Sequence, residues 1–143
     1  MKLEGFDNLE GLDCSSNQLT SNQLTSLELK DSVKLERLVC YNNKLTNLDF
    51  LKDLDGEKLK ELRIERNNIT SDLTPFSRFV NLEVLDLSNN PFHGSLKPLR
   101  DLTKLRGLVI TDTDISHGLE YLPLSVERFV CSFTRPTARV SDI

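Results

Sequence analysis

Apolar residues recur along the chain on one skeleton: an apolar residue, two variable positions, Leu or Phe, one variable position, an aliphatic or Cys, two variable positions, then usually Asn. Six copies follow one another: Leu9-Leu12-Cys14-Asn17, Leu35-Leu38-Cys40-Asn43, Leu59-Leu62-Ile64-Asn67, Leu82-Leu85-Leu87-Asn90, Leu105-Leu108-Ile110-Thr113 and Val126-Phe129-Cys131-Thr134. The first five continue with an apolar residue two positions later, at Leu19, Leu45, Ile69, Phe92 and Ile115. The sixth positions of the skeleton, 14, 40, 64, 87, 110 and 131, are separated by 26, 24, 23, 23 and 21 residues. Such a period means one supersecondary unit per copy. Within a copy the apolar positions alternate with polar ones, which predicts a short strand. In the third, Leu62 and Ile64 face inward and Glu61, Arg63 and Glu65 outward. One turn has too little apolar surface to fold by itself, but stacked turns join their strands into a parallel sheet and bury a continuous core.

Between the strands the spacing changes to threes, in Leu73-Phe76-Phe79-Leu82-Leu85 and Leu96-Leu99-Leu102-Leu105-Leu108. Three residues per turn is the period of a 3₁₀ helix, and Pro75 and Pro98 suit the first positions of such turns, where an amide hydrogen has no partner to lose. The Asn at the ninth position answers a backbone need. The chain leaves the strand there with peptide groups facing the interior, and a carboxamide that both donates and accepts can bridge them within and between turns. Asn17, Asn43, Asn67 and Asn90 are therefore expected to form a structural ladder, with Thr113 and Thr134 doing part of that work.

The repeat motif resembles the leucine-rich repeat superfamily over residues 9–134, and the triplet-spaced segments resemble its phosphatase-regulator-like class. Segments 41–54, 71–105 and 118–132 also resemble the expanded leucine-rich repeat families of mycorrhizal fungi. The resemblance implies an α/β fold, a right-handed solenoid with a parallel concave β-sheet and short 3₁₀, helical or irregular convex segments. It implies a single domain over 1–143, with an array of six repeats over about 9–134 and a tail over 135–143. In those fungal families such arrays accompany kinase-like or other signalling domains, which this sequence lacks.

One irregularity interrupts the array. Ser16-Asn17-Gln18-Leu19-Thr20 is repeated as Ser21-Asn22-Gln23-Leu24-Thr25, a five-residue tandem insertion that leaves open whether Asn17 or Asn22 keeps the ladder position. Leu27-Glu28-Leu29 then returns along the convex side; the competing parse makes Leu24-Leu27-Leu29 a strand of the array. All three cysteines, Cys14, Cys40 and Cys131, stand at an inward position and act as small apolar fillers, which points to a reducing compartment. A disulfide between Cys14 and Cys40, on adjacent turns, stays open on distance. Lys2, Glu4, Asp7 and Glu10 interrupt every apolar run near Met1, so no signal peptide is expected, and the chain is assigned to the cell interior, in the cytoplasm. Without export, the sequon at Asn68 reads as a turn residue. Ser141-Asp142-Ile143 reads as a frayed tail, although its form resembles ligands of PDZ domains.

The outward strand positions are free of packing duty, and they define the candidate site: Arg37, Val39, Tyr41, Arg63, Glu65, Arg66, Asp86, Val109 and Val130. Tyr41 and Val39 beside Arg37, Arg63 and Arg66 form its centre, because Tyr and Arg are favoured interface anchors. The expected ligand is a protein or peptide on the concave face. A net charge of −4 argues against nucleic acid or anionic lipid as a partner, and no run is long enough to span a membrane. Catalysis is not expected: His93 and His117 fall in connecting segments away from the inward cysteines, and no phosphate loop is present. Asp112 and Asp114 lack the spaced ligands of a calcium loop, so no metal or other cofactor is expected. The rival reading is a structural or regulatory segment of a larger signalling protein, kinase-like or a ubiquitin-ligase adaptor.

Overall fold

The structure is a computed structural model that describes residues 1–15 and 23–133. Each copy of the skeleton forms one three-residue strand, and short strands lie between them on the opposite wall. In chain order these are β1 (Lys2–Leu3), β2 (Gly11–Asp13), β3 (Glu28–Leu29), β4 (Arg37–Val39), β5 (Glu61–Arg63), β6 (Val84–Asp86), β7 (His93–Ser95), β8 (Gly107–Val109), β9 (Asp114–His117) and β10 (Arg128–Val130). The main sheet is wholly parallel, in the order β2-β4-β5-β6-β8-β10. Its register aligns Leu12, Leu38, Leu62, Leu85, Leu108 and Phe129 in one inward column. Leu38, Leu62, Leu85 and Leu108 are fully buried, whereas Leu12 and Phe129 in the outer turns are only partly so.

The chain leaves each middle strand through a left-handed residue. Asn42, Arg66, Asn89 and Asp112 have φ between 53° and 58°, and each directly precedes Asn43, Asn67, Asn90 or Thr113. Asn and Asp tolerate this conformation better than other side chains. The carboxamide that follows then bridges two turns. Asn67 Nδ2 donates to the carbonyls of Cys40 and Ile64, each at 3.0 Å, and its Oδ1 accepts from the Leu45 amide at 3.0 Å. Asn43 and Asn90 repeat the arrangement, with Cys14 and Cys40 and with Ile64 and Leu87 as acceptors. Thr113 has only a hydroxyl, and it donates to Ile110 within its own turn at 2.9 Å.

Leu24 locates the tandem insertion. Its amide donates to Asn43 Oδ1, as that of Leu45 does to Asn67, so Leu24 of the second copy stands where Leu45 and Ile69 stand in later turns. Asn17 and Asn22 lie outside the described residues. Leu27–Leu29 does not join the main sheet; β3 pairs with β1 in a separate two-stranded sheet.

The opposite wall carries 3₁₀ turns at Asp49–Asp53, Thr74–Phe76, Lys97–Leu99 and Leu119–Tyr121. Pro75 and Pro98 are the second residues of the second and third, within the first turn where no amide hydrogen is needed. Phe76 and Phe92 stack tilted at 5.7 Å in the core beneath them. The Arg78 guanidinium lies 4.8 Å over the Phe79 ring and donates to the carbonyls of Leu51 and Leu54, joining the Leu54 amide at the first of them, so it ties the next turn to the end of the 49–53 turn.

Two sequence expectations are corrected here. His93 and His117 are not in connecting segments but in β7 and β9, which form a second parallel pair on the flank, and a bridge from Ser71 to Phe92 extends the same pattern. The polar His-Gly-Ser run of β7 carries no strand pattern of its own, and it pairs because stacking sets neighbouring backbones at strand spacing. Gly118 ends β9 with φ 103°, and a Cβ there would come within 2.8 Å of the Leu96 amide nitrogen. The second correction concerns the thiols. Cys14 and Cys40 form a disulfide, because the inward positions of adjacent turns place their Cα atoms 5.0 Å apart; Cys131 remains a free, half-buried thiol.

Asn67 is the acceptor for the Leu45 amide and shares the Cys40 and Ile64 carbonyls with Asn43 and Asn90, so its replacement orphans that amide and leaves each carbonyl with one donor in place of two. Asn67→Ala is expected to lower unfolding free energy by roughly 1 to 3 kcal/mol, read by a urea melt.

Candidate functional site

The outward side chains of the main sheet form three columns, and the register brings most of the expected site residues together on one face. At the β4–β5 junction Glu61 holds two arginines: Arg37 Nε donates to Oε2 at 3.1 Å and Arg63 Nε to Oε1 at 2.6 Å. The three side chains make a bridged triad across adjacent strands, half-exposed at both arginines. Such pairs contribute little stability in high dielectric, and their consequence here is to fix where the guanidinium planes stand.

Val39 departs from expectation. It belongs to the outward column, in register with Asp13 and Arg63, yet only 1% of it is exposed. The long side chains Arg37 and Tyr41 flank it two positions away on its own strand, and Arg63 stands beside it in register. A short aliphatic among them is enclosed on the concave side. Val39 is therefore a floor for its neighbours and not a contact surface itself. Tyr41, Glu65, Asp86, Val109 and Val130 are half-exposed, and Arg37, Arg63 and Arg66 are exposed.

Asp86 is tied down locally, accepting from the Ser88 amide at 3.0 Å and the Ser88 hydroxyl at 2.7 Å. Asp13 and Ser15 repeat this motif, and the hydroxyl bond holds the Asp13 carboxyl below its ordinary range. Glu65, next in its column to Tyr41 and Ser88, has no such support. Its Oε2 is buried without a hydrogen-bond partner, and burial raises its pKa, against opposing hydrogen bonding from its own backbone amide. The nearby Asp86 charge adds to the rise, and Arg63 and Arg66 oppose it. Arg66 holds a left-handed backbone, which is uncommon for a long side chain, and makes no salt bridge among the described residues.

Several hollows mark the described surface, and two of them border candidate residues. A concave one of about 380 Å³ lies over Gly107, between Val84, Val109 and Arg128. A flank hollow of about 750 Å³ is bordered by His93, His117, Asp72, Lys97 and Arg100. Its histidines were read in the sequence as loop residues, and the signal that would have placed them is the pairing of β7 with β9. Among the described residues no group of three or more His, Cys, Asp or Glu is placed to hold a metal ion. Nor is any helix among them long and apolar enough to cross a membrane.

Comparison with known proteins agrees with this geometry. Residues 57–93 match the family model for leucine-rich repeats in two copies. The fold is similar to internalin C2 of Listeria monocytogenes, with TM-score 0.56 and 23% identity, over 90% of this chain and 72% of that one. It is also similar to the leucine-rich repeat ectodomain of the receptor kinase SOBIR1 from Arabidopsis thaliana, with TM-score 0.53 and 24% identity, over 71% of this chain. This chain spans 61% of that ectodomain's length. An internalin, InlF, of the same Listeria strain matches with TM-score 0.54 and 21% identity, over 85% of this chain and 45% of that one. No curated protein matches the chain. The chain therefore has the leucine-rich repeat fold, and its turns at 57–93 carry the repeat signature itself.

The raised pKa of Glu65 has a consequence for stability. The folded chain holds this proton more tightly than the unfolded chain, so the stability associated with the group is full below the ordinary value of 4.5 and declines as pH rises through the folded value. Glu65→Gln is accordingly expected to raise the melting temperature at pH 7. The gain should shrink toward zero below pH 4.5, as measured by calorimetry across that range.

Proposed function

We propose that the chain is a non-catalytic recognition module that binds a protein or peptide on its concave face. The observation that carries this reading is the division of labour in the sheet. The inward column of β4, β5, β6 and β8 is fully buried, while the opposite face holds Arg37 and Arg63 exposed and Tyr41, Asp86 and Val109 partly exposed in one fixed register. A rigid, repeated backbone presents these side chains without any rearrangement, which favours recognition with little ordering loss. The Glu61 bridge supports the same reading, because it pre-orients Arg37 and Arg63 on either side of buried Val39. Arg66 supports it too: a left-handed backbone under a long cation that makes no salt bridge among the described residues is explained more readily by contact than by folding.

Nucleic acid and membrane are not part of this proposal, given the net charge of −4. The second reading, a structural or regulatory segment of a larger signalling protein, is supported by the last described turn. There Val126, Phe129 and Cys131 are only partly buried, whereas Leu105, Leu108 and Ile110 one turn earlier are fully buried, so a further unit stacked on β10 would complete the core.

The odd number of cysteines, three, favours an intracellular placement. The Cys14–Cys40 bond pulls toward an oxidising compartment. Thiols trapped by alkylation in the native cell settle the point: all three cysteines modified supports the intracellular reading, and Cys131 alone modified overturns it.

For the concave site, peptides selected from a display library against the whole chain provide the ligand. Tyr41→Ala combined with Arg63→Glu is expected to weaken their binding at least about tenfold, or 1.4 kcal/mol, in fluorescence anisotropy, with a melting temperature nearly unchanged. Undiminished affinity would move the site off this face.

A further inference from the structure

The outward column at the start of the strands reads Arg37, Glu61, Val84, Gly107 and Arg128 from β4 to β10. Gly107 has no folding reason to be glycine. Its φ lies outside the left-handed region, and a Cβ built there would meet the Val84 methyls at 3.9 and 4.0 Å, ordinary contact distances. Glycine inside a strand weakens it relative to alanine, because backbone freedom is lost on folding with no side chain to pack. What glycine provides at this point is space: the hollow of about 380 Å³ lies over it, with Val84 and Val109 half-exposed at its base.

The charges around this hollow are committed unevenly. Asp86 is occupied by the Ser88 amide and hydroxyl, Arg63 by Glu61, and Arg106 stands 3.9 Å from Glu127. Arg128, directly in register with Gly107, makes no salt bridge among the described residues. The exposed guanidinium of Arg128 therefore borders a small apolar floor with no side chain between them.

We propose that the hollow over Gly107 is an anchor pocket for a partner segment in which an acidic side chain adjoins an aliphatic one, the carboxylate meeting Arg128 and the aliphatic group resting on Val84 and Val109. The inference rests on concave-face binding and adds the chemistry of the partner. A guanidinium is suited to a carboxylate because its planar donors match two oxygens, and the attraction strengthens as the apolar floor excludes water. Arg63, Arg106 and Arg128 outnumber Asp86 and Glu127 around the pocket, against the net negative charge of the whole chain.

The test uses the full chain and an array of twelve-residue peptides whose central pair runs through all residue combinations. The strongest binders are expected to carry Asp or Glu beside Val, Leu or Ile. Gly107→Leu, which fills the pocket, should weaken them at least tenfold while its melting temperature holds or rises. Arg128→Glu should weaken them equally and shift preference to peptides with Lys in place of the acid. Binders with a basic central residue on the wild-type chain would overturn the inference, as would acidic binders indifferent to Gly107→Leu. If such binders still respond to Tyr41→Ala with Arg63→Glu, concave recognition stands and only the pocket fails. Binders indifferent to every concave substitution, or an array with none above background, would overturn both. Sedimentation of the peptide-free chain covers the remaining occupant: a dimer that Gly107→Leu dissociates would mean that the pocket holds a second copy of the chain.

Discussion

The structure depends on a carboxamide that reaches across two turns. A strand of three residues is too short to satisfy the peptide groups around it, and the turn that follows directs carbonyls into the core. Asn43, Asn67 and Asn90 each donate to carbonyls of their own turn and of the one before, and accept an amide from the preceding turn. An unpaired buried peptide group costs about 1 to 3 kcal/mol, so each Asn secures the stacking of two turns as well as its own conformation. The apolar column needs that stacking, since Leu38, Leu62, Leu85 and Leu108 are buried only because neighbouring turns cover one another. Where the ladder thins, at Thr113, the bonds stay within one turn, and the next inward residues, Phe129 and Cys131, are less completely buried.

The left-handed residue before each ladder position belongs to the same device. It turns the chain at the end of the strand so that the following carboxamide points inward. Asn42, Asn89 and Asp112 take that conformation with side chains suited to it; Arg66 does not. The repeat thus tolerates an unsuited residue at one turn because the turns on either side hold the backbone in place.

Much of this was legible from the sequence. The six strands, their register, the inward columns and the 3₁₀ turns at Pro75 and Pro98 follow from apolar spacing, because spacing records which side chains must avoid water. Three features were not legible, each for a physical reason. The β7–β9 pair arises from backbone proximity imposed by stacking, so His-Gly-Ser carries no strand signature. The Cys14–Cys40 bond depends on two inward positions being 5.0 Å apart at Cα, whereas the skeleton shows only that both are inward. Val39 has the alternation of an exposed residue, and its burial comes from the length of Arg37, Tyr41 and Arg63 around it, which periodicity does not encode. The partner side of the candidate site is less legible still, because outward residues are released from packing and their pattern carries no fold constraint.

That release is also what gives the outward pattern meaning. In a repeat whose inward positions are dictated by burial, an outward residue that lowers stability without a structural role is explained by something outside the fold. Gly107 forgoes strand packing that its backbone would permit, Arg66 holds a disfavoured backbone, and Glu65 keeps a buried carboxylate oxygen without a partner. All three lie on or beside the concave face between β5 and β8, and none lies in the inward column. The Arg37–Glu61–Arg63 triad, by contrast, satisfies its own charges and gives the face a fixed frame. A surface in which settled ion pairs border unsettled groups differs from an ordinary solvated sheet, where strand propensity and solubility alone would favour filling position 107 and relieving position 66. These three departures from folding preference lie on or beside one face of the sheet, and the ladder beneath is what allows the fold to carry them.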